Sequence, residues 1–258
     1  MDKWFYNYFF VFPESLSETV AFLLIICSFF TSLVSALFGL GGGVILLAIF
    51  AVSLEPIAII PVHGVVQAAS NVGRLLTLLR KIYTPVIIPF LMGCFVGAAF
   101  GGATFSKISQ VNPELIQMLV GIFIMLNIFQ AIPAINIRHI TLIGAISSFL
   151  TILVGGAGSF VAAVVTSLRL EKLSHIATIA FMLLSQHFMK VIVFGFLGFS
   201  FSPYISLIVC MIITGFLGTL VGRVLVIGLN ENLFRRILNV MLFFLALKLI
   251  ITPIWGSL

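Results

Sequence analysis

The stretch Gly39-Leu40-Gly41-Gly42-Gly43-Val44-Ile45-Leu46-Leu47-Ala48-Ile49-Phe50-Ala51-Val52-Ser53-Leu54 places a glycine cluster directly before an uncharged apolar run. Glycine at that density breaks a helix and lets another group approach the backbone. The run from Val44 to Leu54 would extend only about half of a ~30 Å bilayer core at ~1.5 Å per residue, so it reads as a half-helix. A second cluster, Gly155-Gly156-Ala157-Gly158, precedes another short run, Phe160 to Leu168, which reads the same way.

The rest of the chain explains why such segments can exist. Of 258 residues, 62% are hydrophobic and 8% charged, against ~45 to 50% and ~25% in a soluble domain. This composition excludes disorder, nucleic-acid binding and a disulfide scaffold. About 160 apolar residues, at ~20 per crossing, give about eight spans and leave little for an extramembrane domain. The formal net charge of +6 therefore reads as cytoplasmic loop charge that orients the chain. Cys27, Cys94 and Cys210 lie in separate apolar runs with no metal-ligand spacing, so neither a metal nor a cofactor is expected. The first residues lack a cleavable-signal pattern, and the whole chain is read as mature.

The two halves resemble each other. A shift of 115 places Gly43 on Gly158, His63 on Thr178, Ser70 on Ser185 and Asn71 on Gln186. Gly93, Gly97 and Gly101 match Thr214, Gly218 and Gly222 after a small drift, and Asn112-Pro113-Glu114-Leu115 matches Asn230-Glu231-Asn232-Leu233. Loop charge then sets the topology. Counting each broken segment as one crossing divides loop Lys and Arg evenly, which violates the positive-inside rule. Treating each break as a turn back collects Arg74, Arg80, Lys81, Arg138, Arg169, Lys172, Arg223, Arg235 and Arg236 on one side and leaves Lys3, Lys107 and Lys248 on the other. The expected fold is an all-α polytopic membrane protein of two inverted repeats, each a glycine-broken segment followed by three transmembrane helices. Residues 1–18 form an N-terminal segment, 19–135 the first membrane repeat and 136–258 the second.

Carboxylates are confined to termini and loops, at Asp2, Glu14, Glu18, Glu55, Glu114, Glu171 and Glu231. A cation site or paired-carboxylate catalysis would lack its reagents, whereas a neutral-polar or basic interior suits an anion. His63, Gln67, Ser70, Asn71 and Arg74 fall within about a 100° arc of one helix, and such a stripe must face protein or water. Its repeat mate carries Thr178, Met182, Ser185, Gln186 and Met189, with Lys190 at the edge. Half-helices starting at Gly41, Gly42 and Gly43 and at Gly156 and Gly158 would point backbone N–H groups at the breaks, and Ser159 would add a hydroxyl. Gly93-x3-Gly97-x3-Gly101 and Gly218-x3-Gly222 read as helix-packing devices. Arg74 and Arg223 lie near the expected cytoplasmic boundary, where snorkelling accounts for them, although Arg74 also stands with Lys190 as a gate or counter-charge. Lys190 falls towards the outer boundary by residue count. His63 and His187 are the intramembrane groups that could take a proton near neutral pH.

The sequence Ser35-Ala36-Leu37-Phe38-Gly39-Leu40-Gly41-Gly42-Gly43, the polar helix that follows and ends at Arg80-Lys81, Gly97-x3-Gly101 and the degenerate second copy resemble the TauE/SafE sulfite and sulfonate exporter family over nearly the whole chain. The resemblance implies an integral membrane transporter of sulfite, sulfoacetate or related organosulfur anions. His63 stands where that family often has a small hydroxyl residue, and the Gly155 cluster looks like an eroded version of its glycine signature. The expected protein is not an enzyme: a pair such as Ser70 with His63 has no orienting carboxylate. It is expected to be a multi-pass cell (inner) membrane transporter working by alternating access. An anion channel or a non-transporting accessory subunit are the other readings. Its expected partners are a small anionic substrate and the lipid bilayer, not nucleic acid, with a homo-oligomer left open.

Overall fold

The computed structural model describes residues 12–38, 41–76, 78–129, 139–156, 158–224 and 231–255. Gly39, Leu40 and Ala157 of the two clusters, Arg138 and Asn230, residues 1–11 of the N-terminal segment and the repeat boundary at 135/136 lie outside the described residues. So does the side chain of Arg223.

Among the described residues the chain is all-helical, with ten α-helices and no strand. They are α1 (Glu18–Phe38), α2 (Gly42–Ser53), α3 (Pro56–Leu75), α4 (Ile87–Val111), α5 (Glu114–Ile128), α6 (Ile140–Val154), α7 (Gly158–Ser167), α8 (Lys172–Phe196), α9 (Ile205–Val224) and α10 (Glu231–Trp255). Both expected half-helices are present: α2 has 12 residues and α7 has 10, or about 18 and 15 Å at 1.5 Å per residue. Each break turns at a glycine with positive φ, Gly41 at 106° before α2 and Gly155 at 85° after α6. A Cβ would strain both conformations. Gly155 caps α6 in the left-handed region and its N–H returns to the Thr151 carbonyl at 3.1 Å, a usual way for a helix to end.

Among the described residues, four segments are long and apolar enough to cross a membrane: Glu18–Leu37, Thr84–Val111, Lys172–Phe196 and Ser202–Gly222. This is fewer than the expected three full spans per repeat. α3 is long enough, but its polar side chains lower its hydropathy, and α5 has only 15 residues. The outward faces are apolar: Ile88, Met92, Phe95 and Phe100 of α4, Leu23, Ile26 and Phe30 of α1, and Ile213 and Phe216 of α9 are exposed. A patch of that extent in water would drive aggregation, whereas lipid covers it without cost. The protein is a membrane protein.

The most extensive helix pairings are α4 with α6, α1 with α9, α3 with α8, and α5 with α10. Exchanging α1–α5 in order for α6–α10 leaves this set unchanged. The first two are glycine interfaces. A Cβ on Gly93 or Gly97 would overlap the backbone of Thr141 or Ala145 on α6, and one on Gly218 would overlap the carbonyl of Phe29 on α1. The spaced glycines are packing devices, as their spacing predicts. The inner pair, α3 and α8, carries the polar side chains between the two breaks.

Candidate functional site

The first break separates three glycines with different surroundings. Gly41 makes the turn, and its carbonyl accepts the N–H groups of Val44 and Ile45 at 3.0 Å each. Gly42 is a packing residue, because a Cβ there would collide with the Thr31 carbonyl and the Ser35 hydroxyl of α1. Gly43 faces the polar helix. Its carbonyl accepts a hydrogen bond from His63 Nε2 at 2.9 Å, and the Gln67 amide lies over its Cα, where a Cβ would come to 3.2 Å. One turn further on α3, Asn71 Nδ2 donates to the Gln67 carbonyl at 2.8 Å. His63, Gln67 and Asn71 therefore form a buried ladder with i, i+4, i+8 spacing. It is incompletely satisfied: His63 Nδ1 and Asn71 Oδ1 have no hydrogen-bond partner.

The second break receives α8. Lys190, at 0% exposure, sends its Nζ to the Gly155 carbonyl at 2.7 Å. Its stem lies over Gly64 of α3, where a Cβ would come within 2.7 Å of Lys190 Cδ. Counting residues placed Lys190 towards the outer boundary, but the long side chain reaches back to the break. One turn earlier, His187 meets His63 edge to face with ring centroids 5.8 Å apart, and its Nδ1 has no partner. Gln186 Nε2 donates to Ser147 Oγ of α6 at 2.6 Å. The breaks also meet each other: a Cβ on Gly155 would fall against the Leu47 side chain of α2.

Five expected site residues have other neighbours. Ser159 Oγ donates to Asn127 Oδ1 of α5 at 2.8 Å. Thr178 accepts the Tyr83 N–H at 3.0 Å and donates to the Ser174 carbonyl at 2.7 Å, fixing the 3-10 turns ahead of α4. Ser70 accepts from Arg74 at 3.4 Å and lines a separate cavity of about 300 Å³ between α1, α3 and α9, with Ser28, Ser32 and Thr219. Gly156 and Gly158 lie nearest Phe123 and Leu183 respectively.

Ser147, Ser148 and Thr151 of α6 add to the buried polar side chains without standing among the residues expected from the sequence. All three are buried, and the hydroxyls of Ser148 and Thr151 have no partner. Their spacing on α6 was the available signal, since i, i+1 and i+4 share a helix face.

Among the described residues, the buried polar and ionisable side chains are hydroxyls, amides, two imidazoles and one ammonium, with no carboxylate. No group of three His, Cys, Asp or Glu residues among them could hold a metal ion. Chemically, these side chains can offer hydrogen bonds and one basic amine but no carboxylate.

A family model described as "Sulfite exporter TauE/SafE" matches residues 24–249, nearly the whole chain. No curated protein and no solved structure gives a match.

Proposed function

The chain belongs to the sulfite exporter TauE/SafE family, and we propose that it carries a small anion, sulfite or a related sulfonate, across the cell (inner) membrane by alternating access. The observation that carries this reading is the buried ammonium of Lys190 with the two glycine breaks against the α3–α8 pair and no buried carboxylate among the described residues. An ion enclosed there would meet His63, Gln67 and Asn71 from α3 and Gln186, His187 and Lys190 from α8. Such a shell selects by hydrogen-bond geometry and can still release its ion. The unpartnered polar atoms of Asn71, His63, His187, Ser148 and Thr151 are the groups that a bound polar ion could satisfy, because buried polar atoms left unpaired are costly. With no carboxylate to orient a nucleophile, the shell binds and releases rather than reacts.

Inverted repeats fit this function, because rocking one repeat against the other exposes the same site alternately to each side. The pairings that survive exchange of α1–α5 for α6–α10 support that plan. The topology has a direct check. Single cysteines at Arg80 and Arg169 are expected to react with an impermeant reagent from the same side, and one at Lys107 from the opposite side. Labelling of Arg80 and Arg169 from opposite sides would refute the inverted arrangement.

Binding can be read separately from transport. In detergent, millimolar sulfite or methanesulfonate is expected to raise Tm by a few degrees, on the order of what ~1 to 2 kcal/mol of ligand linkage gives a chain of this length. Sodium and potassium varied at constant anion should leave it unchanged. A rise that follows the cation would contradict the anion reading.

A further inference from the structure

Lys190 has a poor partner for its charge. The Gly155 carbonyl is neutral and takes one of the three ammonium donors at 2.7 Å. Its position explains why the ammonium rests there in the absence of anything better. Gly155 is the C-cap of α6, where unpaired carbonyls gather the negative end of the helix dipole. That is a partial charge, and it does not balance a full one. What remains is one fully buried ammonium, the half-buried Arg74 guanidinium being held at Ser70 Oγ at 3.4 Å, no buried carboxylate among the described residues, and unpartnered polar atoms nearby: His187 Nδ1 one turn before Lys190, and His63 Nδ1 on the facing helix.

Building on the anion-transport reading, we propose that Lys190 is the charge partner of the transported ion, that the site is matched to a single negative charge, and that the Gly155 carbonyl holds the ammonium only while the site is empty. An arriving monoanion offers the ammonium a full opposite charge. Lys190 then exchanges the carbonyl for the ion, and the second break loses its cationic cap. Occupancy is thereby tied to the helix end that must move if the repeats rock. Gly64 is a positioning residue in this exchange, since the Lys190 stem runs over its bare Cα. A dianion would leave one charge unbalanced in a low-dielectric interior, which is costly.

Methanesulfonate and sulfate separate charge from shape. They are similar in size, and near neutral pH they carry one and two charges. In proteoliposomes the wild-type protein is expected to transport methanesulfonate at least about tenfold more efficiently than sulfate. Lys190→Met, whose unbranched apolar chain fills the same channel over Gly64, should lose methanesulfonate transport by about a hundredfold and lose the methanesulfonate-induced rise in Tm. Lys190→Arg should restore both in part. If Lys190→Met does not fold, Gly64→Ala keeps the charge while pressing on the stem, and the half-saturating methanesulfonate concentration should rise about tenfold. Folded Lys190→Met with wild-type flux, an unchanged half-saturation in Gly64→Ala, or a wild-type preference for sulfate would each overturn the inference and leave anion transport standing. If the wild-type protein moves neither methanesulfonate, sulfate nor sulfite, the transport reading itself fails.

Discussion

Gly97→Val is expected to leave little folded protein to extract from the membrane. A Cβ at Gly97 would stand on top of the Ala145 carbonyl and within 2.8 Å of the Ala145 Cα. The obstacle is backbone, so no rotamer change relieves it, and α4 must move away from α6 along their shared face. Overpacking a close-packed interior costs ~1 to 3 kcal/mol when side chains can yield. Here they cannot, and Gly93 and Gly144 would lose their close approach to the partner helix in the same step. We expect a loss of more than ~3 kcal/mol, seen as an aggregated profile in size-exclusion chromatography or as a fall in Tm of more than about 5 °C. Gly195→Ala is the matched control. Nothing lies within 4 Å of its added Cβ, and alanine is favoured over glycine within a helix by ~1 kcal/mol. Its Tm should therefore be unchanged or higher. Equal behaviour of the two variants would contradict the glycine interface between α4 and α6.

The second large effect is expected in transport and not in stability. Asn71→Leu nearly conserves volume at a position 1% exposed. It removes one local hydrogen bond, Nδ2 to the Gln67 carbonyl, worth ~1 kcal/mol. It also removes an amide oxygen that has no partner, which recovers a similar amount. The balance predicts a folded protein with Tm close to that of the wild type. In the transport reading the same amide is part of the shell around the ion. A hydrogen bond to a charged group is worth ~1.5 to 3 kcal/mol, so transport efficiency should fall about thirtyfold. Gly42→Leu, at another expected site residue, is not an equivalent probe. Its side chain would drive into α1, so loss of function there would report packing. Gly43→Ala is the cleaner choice at the first break, because the neighbour that must yield is the flexible Gln67 side chain.

The half-helices were legible because glycine clusters and run length act locally. α2 begins two residues before the apolar run and α7 likewise, and both breaks turn at glycine. The buried ladder of His63, Gln67 and Asn71 was legible as part of a stripe on α3. Its other members were not separable from it by sequence. A face about 100° wide meets more than one neighbour when helices cross, and Ser70 lines the cavity towards α1 and α9 while Asn71 stays buried. The hydrogen bonds of Ser159 and Thr178 were not legible for the same reason: their partners, Asn127 and Tyr83, are brought close only by tertiary packing. Lys190 shows the limit of residue counting. The position of its Cα along α8 follows from the sequence, but the direction of its side chain depends on the bare Cα of Gly64 on another helix.

The most direct measurement is the concentration dependence of sulfite and methanesulfonate flux into proteoliposomes of the purified protein, with protein-free vesicles and Asn71→Leu alongside. Saturable uptake is expected, absent from empty vesicles and strongly reduced in a folded Asn71→Leu protein. Flux that rises linearly without discriminating among anions would replace the carrier by a channel, and an Asn71→Leu protein that transports as well as the wild type would remove the α3 ladder from the site.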